Sequence, residues 1–154
     1  MLFAASLLCL VLSGALHAEA PPAVLEKTPL AKWIRRGKDR KFALRRLKAR
    51  ARILTPQTLA RMKKIAAGYL GKEYDLHFAW DDERLYCSEL VWKIYQRGAG
   101  LEVGKLQKPG DFDLNDKLVK SQLREQHGSR VPLNENVISP AAMLSSERLF
   151  EPAF

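Results

Sequence analysis

One mixed domain of α-helices and short β-strands is what the sequence predicts, and three observations carry that reading. Leu59, Met62, Ile65, Ala66 and Tyr69 recur at three- and four-residue spacings, the mark of a helix with one packed face. Leu90, Val91, Ile94 and Tyr95 form a second such stripe behind Cys87. Between the two, Tyr74 to Trp80 alternates apolar and polar residues in the strand manner. At 154 residues the chain has material for one core rather than two. Its 47% hydrophobic and 28% charged content excludes a disordered or low-complexity protein.

The elements follow in order. Leu2 to Leu16 is almost wholly apolar and runs into Ala15-Leu16-His17-Ala18-Glu19-Ala20. It is too short to span a bilayer comfortably and reads as an export signal, residues 1–20, with cleavage near Ala18. The amino-terminal end has no Lys or Arg, so a strand or helix of a domain starting further upstream is the alternative. The first reading places residues 21–154, as one domain, in the periplasm or outside the cell. The second, with a misplaced start, leaves the protein in the cytoplasm.

Pro21-Pro22 marks a linker, and Thr28-Pro29 opens a short helix with a capping hydroxyl, closed by Gly37. Lys41 to Leu47 is expected to be a strand with a basic outer face, or a continuing helix. The clearest helix starts at Thr55-Pro56 and runs to about Leu70, with Gly71 as its stop. In the strand after it, Tyr74, Leu76, Phe78 and Trp80 take one side, and Asp75, His77 and Ala79 the other. An acidic turn follows at Asp81, Asp82 and Glu83. The next helix spans Cys87 to about Arg97 and ends at Gly98 and Gly100, with the Cys87 sulfur starting on its packed side. Leu114, Leu118, Val119 and Leu123 suggest a helix ending at Gly128. A short strand near Val137-Ile138 and a helix opened by Ser139-Pro140 complete the chain. No internal repeat is visible.

The net charge of +9 is concentrated. Lys32, Arg35, Arg36, Lys38, Arg40, Lys41, Arg45, Arg46, Lys48, Arg50 and Arg52 face only Asp39 within their stretch. Such a cluster attracts anionic surfaces, such as phospholipid head groups or cell-wall polymers, through long-range, salt-sensitive fields; a plain solvated basic face is the alternative. Nucleic acid is not expected, because no zinc or helix-turn-helix pattern occurs. Asp81 and Asp82 have no neighbouring His/Cys group to complete a metal site, so neither a metal nor a cofactor is expected.

With Cys9 in the leader, the domain keeps Cys87 alone, which excludes an intramolecular disulfide. A lone cysteine is most often a small buried hydrophobe. A thiol at the first turn of a helix, however, is stabilised as thiolate by unsatisfied N–H groups and the positive end of the helix dipole. The same N–H groups can receive the oxyanion formed when the thiolate attacks an acyl carbon. Trp80, Trp92 and Tyr86 could shape an acyl pocket, although aromatic residues at a helix–sheet junction are more often core. Glu89 is expected only to complement the helix N-terminus.

Gly71-Lys72-Glu73-Tyr74-Asp75, Trp80-Asp81-Asp82 and Tyr86-Cys87-Ser88-Glu89-Leu90-Val91-Trp92-Lys93 together resemble the YiiX-like family of permuted papain-like cysteine hydrolases, relatives of the NlpC-type cell-wall peptidases. The resemblance continues at Phe112-Asp113-Leu114 and Val137-Ile138-Ser139-Pro140, and reaches back to Thr28-Pro29-Leu30 and Trp33-Ile34. It implies an α+β fold in which a helix carrying the nucleophile, Cys87, packs on a small antiparallel sheet. It also implies a histidine base upstream, in a Ser-His-X-Gly strand followed by a Glu-Ala strand. No Ser-His-X-Gly occurs in the 154 residues, so the fold is expected to be incomplete at its N-terminus. Of the three histidines, His17 falls in the leader, His77 lies on the strand before Cys87 and is the best substitute, and His127 precedes a helix-ending glycine. Glu19-Ala20 matches the Glu-Ala strand and also a cleavage site, and takes no role.

Two functions remain. One is an exported cysteine amidase or peptidase that forms a thioester on Cys87, acting on peptidoglycan peptides or on lipid-linked or N-acyl amides. The other is a non-catalytic, basic envelope-binding module that keeps the fold.

Overall fold

The computed structural model of the chain describes residues 24–40, 42–112, 121, 124 and 133–153. Helix α1 spans Leu30–Arg36 and is followed by a 3-10 turn, Lys38–Arg40. Strand β1 is Arg46–Leu47, α2 is Arg50–Ile53 and α3 is Pro56–Gly68. Strands β2, Glu73–Tyr74, and β3, Arg84–Leu85, precede α4, Cys87–Ala99. Helix α5, Pro140–Leu144, and strand β4, Leu149–Phe150, follow. The export leader lies outside the described residues, and so does the helix expected over 114–128 apart from Ser121 and Arg124, both helical.

Helix starts behave as their first residues dictate. The Thr55 hydroxyl accepts the Thr58 N–H at 3.2 Å, and Ser139 Oγ accepts the Ala142 N–H at 3.1 Å. Each side chain thereby satisfies one of the orphan donors of a helix end. Thr28 does not act this way: Pro29 stands at the cap and the Thr28 hydroxyl donates to Glu26 at 3.1 Å. The Cys87 helix runs through Gly98 and stops at Gly100, which takes the left-handed conformation, φ 63°, that glycine adopts without a Cβ penalty.

Gly98 stays helical because α3 and α4 pack closely there. A Cβ at Gly98 would stand 2.4 Å from Met62 Cγ and 3.0 Å from Met62 Cα. Gly98→Ala is therefore expected to lower the unfolding free energy by about 1–3 kcal/mol, the usual cost of overpacking. An unchanged midpoint in urea would show that Met62 moves aside without penalty.

The core gathers Met62 of α3, Tyr86, Trp92 and Tyr95 at and in α4, Val103, Ile138, Met143 of α5, and Leu47 with Leu149. The last two face each other across the antiparallel pair β1–β4. Strands β2 and β3 pair in parallel, Glu73 with Arg84 and Tyr74 with Leu85, and Val24 adds an antiparallel bridge to Glu73. The strand expected over 41–47 shortens to Arg46–Leu47, and Val137 makes only an isolated bridge to Gln107.

The larger difference is the expected strand from Tyr74 to Trp80, which ends after Tyr74. Asp75 Oδ1 accepts the His77 N–H at 2.8 Å, a side-chain turn that competes with the strand ladder. The chain bends and Phe78 takes φ 54°, so the alternation breaks down: Asp75 is fully buried, while Leu76 is 54% exposed.

Candidate active site

Cys87 is the first residue of α4. Leu90 N–H is the first to close the ladder, donating to Tyr86 C=O at 3.0 Å. The N–H groups of Cys87, Ser88 and Glu89 thus stand outside it at the positive end of the helix. The side chain is exposed, contrary to the expected start on the packed face. The cause is in its two neighbours. Tyr86 Oη accepts the Ile138 N–H at 3.1 Å, and Ser88 Oγ donates to the Ile138 C=O at 2.7 Å. Both are buried, and pinning residues 86 and 88 inward to one backbone unit turns residue 87 outward.

Tyr74 comes to this site from β2. Its hydroxyl lies close enough to Cys87 to feel its charge. Burial first, then the charge of Cys87, holds the Tyr74 hydroxyl well above its ordinary value. It therefore keeps its proton. Nothing in the periodicity of the sequence singles Tyr74 out; its place in the Gly71-Lys72-Glu73-Tyr74-Asp75 motif is the available signal. Phe78 packs edge-on against Tyr86, ring centres 4.9 Å apart, and Trp80 against Trp92 at 5.4 Å. Tyr86 and Trp92 are buried core residues and Trp80 is half-buried.

Below the sulfur lies a charge cluster that the sequence reading missed. Glu89, expected only to complement the helix end, is fully buried, as is Lys93 one turn on, at 3% exposure. Glu89 Oε1 is 2.7 Å from Lys93 Nζ. The contact is an ion pair rather than an aligned hydrogen bond, and neither carboxylate oxygen has a well-oriented donor. Burial pushes the Glu89 carboxyl up to about 7, against the pull of Lys93. Lys93 Nζ also reaches Asp82 Oδ1 at 2.9 Å and the Asp81 C=O, and lies 5.0 Å from the centre of the Trp80 ring. Arg97 clamps Asp82 in two bonds, at 2.7 and 3.0 Å. Arg97 foremost, with Lys93, holds Asp82 down at about 2. The Glu–Lys spacing of four residues was the available signal for a paired helix face; its burial was not readable.

His77 is exposed in the bend after β2 rather than on a strand, while His17 and His127 lie outside the described residues. Among the described residues no group of three or more His, Cys, Asp or Glu side chains stands together to hold a metal ion.

A thiol at a helix N-terminus, with a short strand pair and a tyrosine beside it, has the placement that a cysteine nucleophile needs. Residues 13–150 match the family described as permuted papain-like amidase enzymes, YaeF/YiiX, C92 family; the match takes in the second part of the segment read as a leader. The chain is 43% identical over 122 residues to the uncharacterized protein YiiX of Escherichia coli K12, covering 79% of this chain and 59% of that protein. It thus spans under two thirds of the length of that relative. A crystal structure described as metalloprotein YiiX of Escherichia coli O157:H7 superposes with a TM-score of 0.76 at 40% identity, covering 84% of this chain and 70% of that one. The chain belongs to the YaeF/YiiX family of permuted papain-like amidases, and its α+β fold is the papain-like one that the motifs implied.

Proposed function

We propose that Cys87 is the nucleophile of a cysteine amidase or peptidase acting on an amide or ester acyl group. The observation that carries this is the exposed sulfur at the first residue of α4, beside a Tyr74 hydroxyl that keeps its proton. The thiolate attacks the acyl carbon, and the carbon–sulfur bond forms as the carbonyl electrons move to oxygen. First-turn N–H groups of α4 then receive that oxyanion. Collapse expels the amine or alcohol with a proton and leaves a thioester, which water hydrolyses to restore the thiol. The leaving-group proton requires an acid–base partner. In the family pattern this is the histidine of a Ser-His-X-Gly strand, a segment that these 154 residues do not contain.

Peptidoglycan peptides and lipid-linked or N-acyl amides are the substrate classes, outside the cytoplasm. Lys32, Arg35, Lys48, Arg50 and Arg52 are all exposed, which supports attraction to an anionic membrane or cell-wall surface. Among the described residues no helix is long and apolar enough to cross a membrane. One relative is described as a metalloprotein; the described residues here bring no group of three or more His, Cys, Asp or Glu side chains together.

The test is an activated acyl ester, whose good leaving group needs no acid. It is expected to acylate Cys87 as a hydroxylamine-labile adduct located by peptide mapping. An unmodified Cys87, or an adduct elsewhere, would sink the assignment.

A further inference from the structure

The buried charges behind the nucleophile are not used by that chemistry, and their connections suggest what they do. Lys93 Nζ binds the Asp81 C=O and Asp82 Oδ1 in the turn that enters β3. Strand β3 is parallel to β2, which bears Tyr74, and runs directly into Tyr86 and Cys87. Helix α4 then returns the chain to Lys93. The ammonium thereby closes a ring of chain from Asp82 through Cys87 and back. That ring holds both the Cys87 end of α4 and the strand paired with the one that bears Tyr74. Glu89 lies inside it: it pairs with Lys93 at 2.7 Å, and the Tyr86 N–H, from the residue just before Cys87, approaches its carboxylate.

We propose that Glu89 is a positioning residue of the Cys87 site, holding the Lys93 ammonium in place and with it the alignment of the sulfur against Tyr74. This rests on the nucleophile reading above and deepens it.

The groups facing Glu89 are known from every side. Lys93 and Arg97 come from α4, Tyr86 from its cap, Asp75 from the bend after β2 and Tyr69 from the end of α3. Asp75 is itself fully buried, with Oδ2 unpaired, so it opposes ionisation of Glu89, as burial does. Glu89, pushed up to about 7, gains a proton as pH falls through neutrality. The neutral form loses its hold on the ammonium, and alignment of the site loosens. The ionised form is thus the aligned one, present above neutral pH.

The experiment is the pH profile of Cys87 alkylation by iodoacetamide in the full chain, for wild type, Glu89→Gln and the double variant Glu89→Gln/Lys93→Met. Wild type is expected to show two inflections, one from the thiol and one near neutrality. Both variants should keep only the thiol inflection. Above neutrality they should react about tenfold more slowly, a milder loss than the roughly hundredfold that a 1 Å misplacement can bring. Folding is checked by circular dichroism. If Glu89→Gln does not fold, the double variant, which removes both members of the Glu89–Lys93 pair, carries the comparison; if neither folds, the wild-type profile decides alone. A single wild-type inflection, or variant profiles that superimpose on wild type, would overturn the positioning role while leaving Cys87 a reactive nucleophile. A wild-type Cys87 that iodoacetamide does not label would remove the nucleophile reading itself.

Discussion

Lys93→Met is expected to lower the unfolding free energy by about 3–5 kcal/mol, the cost of breaking a buried ion pair from one side. The lysine is 3% exposed and touches Glu89 at 2.7 Å and Asp82 at 2.9 Å. Asp82 keeps Arg97 when the lysine goes. Glu89 keeps no cation within ion-pair reach among the described residues, and its carboxylate is left in a site that already disfavours charge. The sign of the pH effect follows. The folded-state value of Glu89 is raised to about 7 from an ordinary 4.5. The stability tied to its protonated form is therefore fully present below about 4.5 and is lost as pH rises through 7. Without Lys93 the carboxyl rises further, so the loss should be greater at pH 8 than at pH 5, where Glu89 is neutral. Urea unfolding at the two pH values checks this. Equal losses would show that Lys93 stabilises by its packing over Trp80 rather than by its charge.

Cys87→Ala is expected to abolish the hydroxylamine-labile adduct formed by an activated acyl ester, because no other described side chain supplies an exposed thiol. The fold should survive, because the side chain is exposed and the two neighbours that hold the helix start, Tyr86 and Ser88, are untouched. Loss of the adduct without a shift in unfolding midpoint separates chemistry from structure. A variant that still formed the adduct would leave only a fold of this family with its sulfur idle.

Where local chemistry decided, the sequence was legible. Thr55 and Ser139 cap the helices they precede, Gly37 and Gly100 follow the helices they end, and the Cys87 motif begins a helix at its first residue. The expected strand after Tyr74 was lost to a local competitor, the Asp75 carboxylate binding His77 N–H. A period-two pattern carries no information about such a turn. The sulfur of Cys87, expected on the packed side, faces outward. Faces assigned from neighbours in sequence took no account of Ile138, fifty residues away from Ser88.

The residues alone determined the family, the placement of Cys87 at the start of α4 and the concentration of basic charge, because each is a matter of residue type and short spacing. Only the tertiary structure decided that the sulfur faces outward beside Tyr74, and that Glu89 and Lys93 are buried while Lys93 reaches the half-exposed Asp82. Whether a charged side chain is solvated or buried depends on what distant segments lay over it, and the energy of an ion pair follows from that burial far more than from the identity of its members.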